Sequence, residues 1–89
     1  MNRLYLILLP ITTDREAVIK YLETNRNISF WFYTFPSSIF VRSSLTARQL
    51  QDIIVRGFNV DRILVVHINQ SSDFSGLVPN NHVELFNNL

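Results

Sequence analysis

Few side chains in this sequence are equipped for chemistry, and their spacing does not suit catalysis. The two histidines, His67 and His82, lie fifteen residues apart and lack the spacing of a metal site. With Asp73 or Glu84 they make a metal or acid–base site only if the C-terminal segment returns to the strand that carries His67. Cysteine is absent, which rules out thiolate ligands and disulfides. Two glycines cannot build a phosphate-cradling loop. The serine pairs Ser37-Ser38, Ser43-Ser44 and Ser71-Ser72 read as turn and strand-end residues, without a nucleophile elbow around them. No cofactor and no metal ligand set is expected from these residues.

Binding chemistry is better represented. Seven of the eight cations are arginine, the side chain suited to planar and phosphate recognition. Arg15, Arg42, Arg48 and Arg62 read as solvated surface unless a dimer axis gathers them. The stretch Ile28 to Ser44, ISFWFYTFPSSIFVRSS, is aromatic on both faces of what reads as a hairpin. In it Ile28, Phe30 and Phe32 alternate with Trp31, Tyr33 and Phe35, and Phe40 and Arg42 share a face of the returning strand. Trp31, Tyr33, Phe40, Arg42, Arg62 and His67 are the candidate binding residues.

The rest of the chain must position these groups. Eighty-nine residues make one small domain, and 47% hydrophobic content is too high for disorder. A net charge of +1 without a basic run argues against a nucleic-acid-binding arm. The opening MNRLYLILLPI is too short to span a bilayer, and a helix start rather than a cleavage site follows it. A cytoplasmic location with no membrane partner is expected.

Arg3 to Leu9 is apolar on both faces, as in a central covered strand, and Pro10 ends it. Thr13-Asp14-Arg15-Glu16 reads as a capping box opening a helix from 14 to 24. Strands follow over 28–35 and 38–43, joined by Pro36-Ser37. Thr46 and Gln49 make a second box, with Leu50, Ile53, Ile54 and Phe58 as the buried stripe and Gly57 as the left-handed end. Ile63 to Ile68 is a fourth strand. The segment 71–89 reads as a C-terminal extension on a core spanning 1–70, with Val83, Phe86 and Leu89 able to pack on that core or on a dimer partner.

The order β-α-β-β-α-β favours an α+β, ferredoxin-like antiparallel sheet in order 4-1-3-2, with both helices on one face. Leu8, Leu64 and Val66 are expected beneath the helices. Tyr5, Ile7, Leu9, Phe40, Arg42, Val65, His67 and one aromatic row are expected on the opposite face. An apolar patch of that extent marks an interaction site. Homodimerisation, a stacking platform for single-stranded nucleic acid, and coverage by the C-terminal extension are the three readings of it.

The run Trp31-Phe32-Tyr33, Ser38-Ile39-Phe40-Val41, Leu45-Thr46-Ala47-Arg48-Gln49-Leu50 and Asp61-Arg62-Ile63-Leu64-Val65, with Gly76 and the closing Leu-Phe-Asn-Asn-Leu, resembles the small SinR-like proteins. These are relatives of the CRISPR-associated adaptation nuclease subunit and of VapD. The resemblance covers about two-thirds of the chain and implies a ferredoxin-like fold, a homodimer and, in some members, metal-dependent cleavage of nucleic acid. Nuclease members end the first strand with an aspartate, and Pro10 stands there in this sequence. Proline offers no side-chain oxygen to a hard cation. The resemblance therefore implies the fold and the dimer and argues against the nuclease. The expected function is a non-catalytic homodimeric binding protein for a nucleotide or nucleic acid. The alternatives are a metal-dependent endonuclease using Asp14 or Asp73, and a structural or partner-blocking protein of a mobile element.

Overall fold

The computed structural model describes residues 2–33 and 35–69. It contains β1 (Arg3–Leu8), α1 (Arg15–Glu23), β2 (Ile28–Phe32), β3 (Ser38–Ser43), α2 (Ala47–Phe58) and β4 (Leu64–Ile68). The four strands form one sheet in the order β2-β3-β1-β4, and every neighbouring pair is antiparallel. The result is a small α+β fold. The expected C-terminal extension, with His82, Asp73, Glu84, Val83, Phe86 and Leu89, lies outside the described residues.

β1 is central, consistent with its two apolar faces. Its register sets Tyr5 between Val41 and His67, and Leu6 between Phe40 and Val66. Side chains alternate across a strand, so this register sorts residues into two layers. Tyr5, Ile7, Leu9, Ile39 and Val41 are buried together with Val18, Ile19 and Leu22 of α1 and Leu50 and Ile54 of α2. Leu4, Phe32, Phe40 and Ile68 form a second buried cluster, with Leu6 packed against it.

The helices thus cover the opposite face of β1 and β4 from the one expected. Tyr5, Ile7, Leu9 and Val65 belong to the helix-covered core. Leu8, Leu64 and Val66 are instead 41%, 55% and 39% exposed. Two features give this choice a physical basis. Ile7, Ile39, Val41 and Val65 are β-branched and pack closely over the pleat. The Tyr5 hydroxyl donates to the Leu45 carbonyl at 2.7 Å, which ties the centre of the sheet to the chain entering α2.

β2 carries a second surprise. Ile28 pairs with Ser43 and Phe30 with Arg42, so two residues on β2 advance past one on β3. Ser29 is the extra residue of this bulge. Ile28 therefore packs on the helix-covered core with Trp31, while Phe30 and Phe32 take the other face. Simple alternation had placed Ile28 with Phe30. The start of β2 is held by Asn27, whose carbonyl accepts from the Ser43 hydroxyl at 2.7 Å and from the Ser44 N–H at 3.1 Å.

The helix ends follow their capping chemistry. Asp14, rather than Thr13, caps α1, accepting from the Ala17 N–H at 3.3 Å. The box on α2 is complete: Thr46 Oγ1 accepts from the Gln49 N–H at 3.2 Å, and Gln49 Oε1 accepts from the Thr46 N–H at 2.9 Å. The left-handed residue ending α2 is Asn59, at φ 51°, not Gly57. Gly57 stays helical, and a Cβ there would meet the Tyr21 ring of α1 at 3.2 Å.

Thr46→Ala removes one half of the α2 box. It is expected to cost about 1 kcal/mol, lowering the thermal midpoint by about 4–8 °C. Calorimetry checks this, and an unchanged midpoint shows that the cap carries no stability.

Candidate functional site

The six candidate residues fall into four separate places. Phe40 and Arg42 stand on β3, on the face away from the helices. Trp31 and Tyr33 lie at the β2 edge on the helix side. His67 is on β4, also on the helix side. Arg62 is in the loop before β4.

On the face that neither α1 nor α2 covers, the Phe32 and Phe40 rings are stacked, 4.7 Å apart and 6° from parallel. Both are buried, at 6% and 5% exposure. Phe30 continues the row, 6.2 Å from Phe32, and is 44% exposed beside its register partner Arg42. Toward β4 the same face presents Leu6, Leu8, Leu64 and Val66, where Leu6 pairs with Val66 and Leu8 with Leu64. Of this strip, Leu8, Leu64 and Val66 are the residues the sequence leads one to expect beneath the helices; the structure puts them on the other face.

The Trp31–Tyr33 row turns toward α1. The Arg15 guanidinium carbon sits 3.6 Å from the Tyr33 ring centroid. Tyr33 stacks on Trp31 at 6.0 Å and 9°. Trp31 Nε1 donates to Glu23 Oε1 at 2.9 Å. Arg15 Nη1 also donates to the Phe35 carbonyl at 2.8 Å. Arg15 and Glu23 lie two turns apart on α1, so the helix grips the β2 edge at both ends. No local pattern marks this clasp, because α1 and the β2 edge meet through pairs 8 to 20 residues apart.

His67 lies 5.4 Å from the Tyr5 ring, tilted by 44°. Arg62 is exposed and faces Asp61 at 3.6 Å. Arg48 pairs with Asp52 at 3.2 Å along α2. Arg62 precedes Leu64, the partner of Leu8, whereas Arg42 pairs with Leu4, so these arginines stand at opposite ends of the sheet. Within one protomer they do not converge.

Among the described residues, no group of three His, Cys, Asp or Glu side chains is placed to hold a metal ion. Asp14, the nearest carboxylate after Pro10, is engaged as the α1 cap. A cleft of about 350 Å³ near it is lined by Pro10, Thr12, Thr13, Phe58, Asn59 and Asp61 as well, and contains none of the six candidates. A cleft of about 410 Å³ at the bulge, lined by Glu23, Ile28, Ser29, Phe30 and Trp31, contains only Trp31. Among the described residues no helix is long and apolar enough to cross a membrane.

Comparison of the chain with protein-family models, with curated proteins and with solved structures gives no match.

Tyr33→Ala removes the middle of the clasp. From an exposed cation–π contact and an aromatic pair, the expected loss is about 1–2 kcal/mol. The single tryptophan reports on it directly: Trp31 emission should shift to the red in the folded variant. Unchanged emission and stability refute the clasp.

Proposed function

We propose that this chain is a non-catalytic, homodimeric binding protein built on a ferredoxin-like layer, acting through the sheet face that neither α1 nor α2 covers. The observation that carries this reading is the exposure of Leu8, Leu64, Val66 and Phe30 on one face of the sheet. Contiguous apolar surface of this kind is favourable to bury against a protein partner. The order β2-β3-β1-β4, read from its other edge, is 4-1-3-2, which supports the ferredoxin-like reading and accords with the resemblance to SinR-like proteins.

Phe30 beside Arg42 favours a second reading, in which the face also takes a nucleotide or nucleic acid. An exposed ring can stack on a base while a guanidinium meets a phosphate. Phe32 and Phe40 contribute less, because each is stacked on the other and buried. One exposed ring makes a narrow platform.

Light scattering over a range of concentrations is expected to give twice the chain mass of 10.4 kDa. Val66→Glu should convert the protein to a monomer with unchanged circular dichroism. A wild-type monomer at every concentration sinks the homodimer. For the second reading, fluorescence anisotropy with labelled single-stranded RNA and DNA should show salt-sensitive binding. Phe30→Ala should weaken it by about 1–3 kcal/mol if a base stacks there. Absence of binding at low salt removes that reading and leaves the first untouched.

A further inference from the structure

The aromatic column at the β2 edge is closed at one end only. The Arg15 guanidinium lies over the Tyr33 ring, and Tyr33 stacks on Trp31 at 9° from parallel. A cation thus caps the Tyr33 end. Two residues before Trp31 stands Ser29, the extra residue of the bulge, which has no ring to continue the row. A cleft of about 410 Å³ opens there, lined by Glu23, Ile28, Ser29, Phe30 and Trp31. Tyr33 covers one indole face, so Trp31 meets the cleft with its other face and its edge.

Among the residues lining this cleft, Glu23 alone is ionisable. Its Oε1 accepts from Trp31 Nε1 at 2.9 Å, which fixes the carboxylate beside the ring, and Oε2 keeps its acceptor capacity. Among the described residues Glu23 forms no ion pair. The other polar side chain of the lining, the Ser29 hydroxyl, donates to the Arg42 carbonyl at 3.3 Å. The cleft therefore offers one negative charge, the electron-rich faces of aromatic rings, aliphatic surface and few acceptors. A primary ammonium has three donors to satisfy and is strongly hydrated. A fully methylated ammonium has none, and ring faces beside a carboxylate hold it.

We propose that this cleft binds a methylated ammonium group, seated against Trp31 with Glu23 as its counter-ion. Arg15 over Tyr33 is the same cation–π chemistry, satisfied within the chain at the far end of the column. The volume leaves room for the alkyl stem that carries the head group, with Ile28 and Phe30 as its apolar wall. The site does not depend on self-association, and a single protomer contains all of it.

Trp31 is the only tryptophan, so its emission reports on the site directly. It is followed at constant ionic strength with three probes built on one stem: choline, ethanolammonium, which lacks the methyl groups, and the neutral 3,3-dimethylbutan-1-ol. The expected result is a saturable change with choline, weaker binding of ethanolammonium and no response to the alcohol. Glu23→Gln keeps an acceptor for the indole N–H and removes the charge. It should leave the emission of the free protein unchanged and weaken choline about fivefold, as loss of an exposed ion pair does. Glu16→Gln, on the same helix but outside the cleft, should bind choline as the wild type does. A peptide with trimethyllysine between glycines distinguishes the source of the group: tighter binding than choline identifies a modified protein chain, and equal or weaker binding a free small cation. No saturable response to choline, an equal response to the alcohol or to ethanolammonium, or undiminished choline binding by Glu23→Gln overturns the proposal.

Discussion

The register of β1 between β3 and β4 is the constraint from which the other features follow. Tyr5 opposite Val41 and His67, and Leu6 opposite Phe40 and Val66, assign every strand residue to one of two layers. A slip of one residue would exchange the layers entirely. Two anchors on the helix side oppose such a slip. The Tyr5 hydroxyl bonds to the Leu45 carbonyl. The Ser43 hydroxyl, fully buried, donates to the Asn27 carbonyl and accepts from the Leu45 N–H. Both couple the sheet to the segment that launches α2, so strand register and helix placement are fixed together.

Among the described residues that coupling places both helices, α1 and α2, on the Tyr5 face of the sheet. On the other face Phe32 stacks on Phe40 within a buried cluster with Leu4 and Ile68. Burial on that face is uneven: it is greatest at the end of the sheet holding Leu4 and Ile68, whereas Leu8, Leu64 and Val66 toward the other end are exposed.

The element order, the strand pairs and the α2 capping box were legible from the sequence because each rests on local chemistry. Thr46 and Gln49 have the right types at the right spacing, and Pro10 and Pro36 punctuate strands as proline must. What was not legible was which apolar row of β1 the helices select. Leu4, Leu6 and Leu8 are as hydrophobic as Tyr5, Ile7 and Leu9, so hydropathy does not discriminate between them. The decision lies in shape and in one hydroxyl, through a partner forty residues away. The Ser29 bulge was hidden for a related reason: alternation read across 28–35 assumes one residue per step, and only the pairing of Ile28 with Ser43 and Phe30 with Arg42 reveals the extra one. The candidate site dispersed because sequence reasoning grouped residues by type, whereas the bulge and the clasp sorted them by face.

The same sorting shapes what the face away from α1 and α2 can bind. A base-stacking surface needs ring faces directed at solvent, and here the two central rings are spent on each other. Moving either to meet a base would open the Leu4–Ile68 cluster to water, so the face resists use as an extended aromatic platform. Aliphatic side chains near β4 carry no such commitment. They bring apolar area without a directional partner, which is the kind of surface that protein association uses and base recognition does not. Arg15, read from sequence as a potential phosphate ligand, is drawn into holding Tyr33 and the Phe35 carbonyl. Its guanidinium thus strengthens the edge opposite to β4. Arg15, Tyr33 and Trp31 are thus spent in holding β2 to α1, and Phe32 and Phe40 in the buried cluster with Leu4 and Ile68.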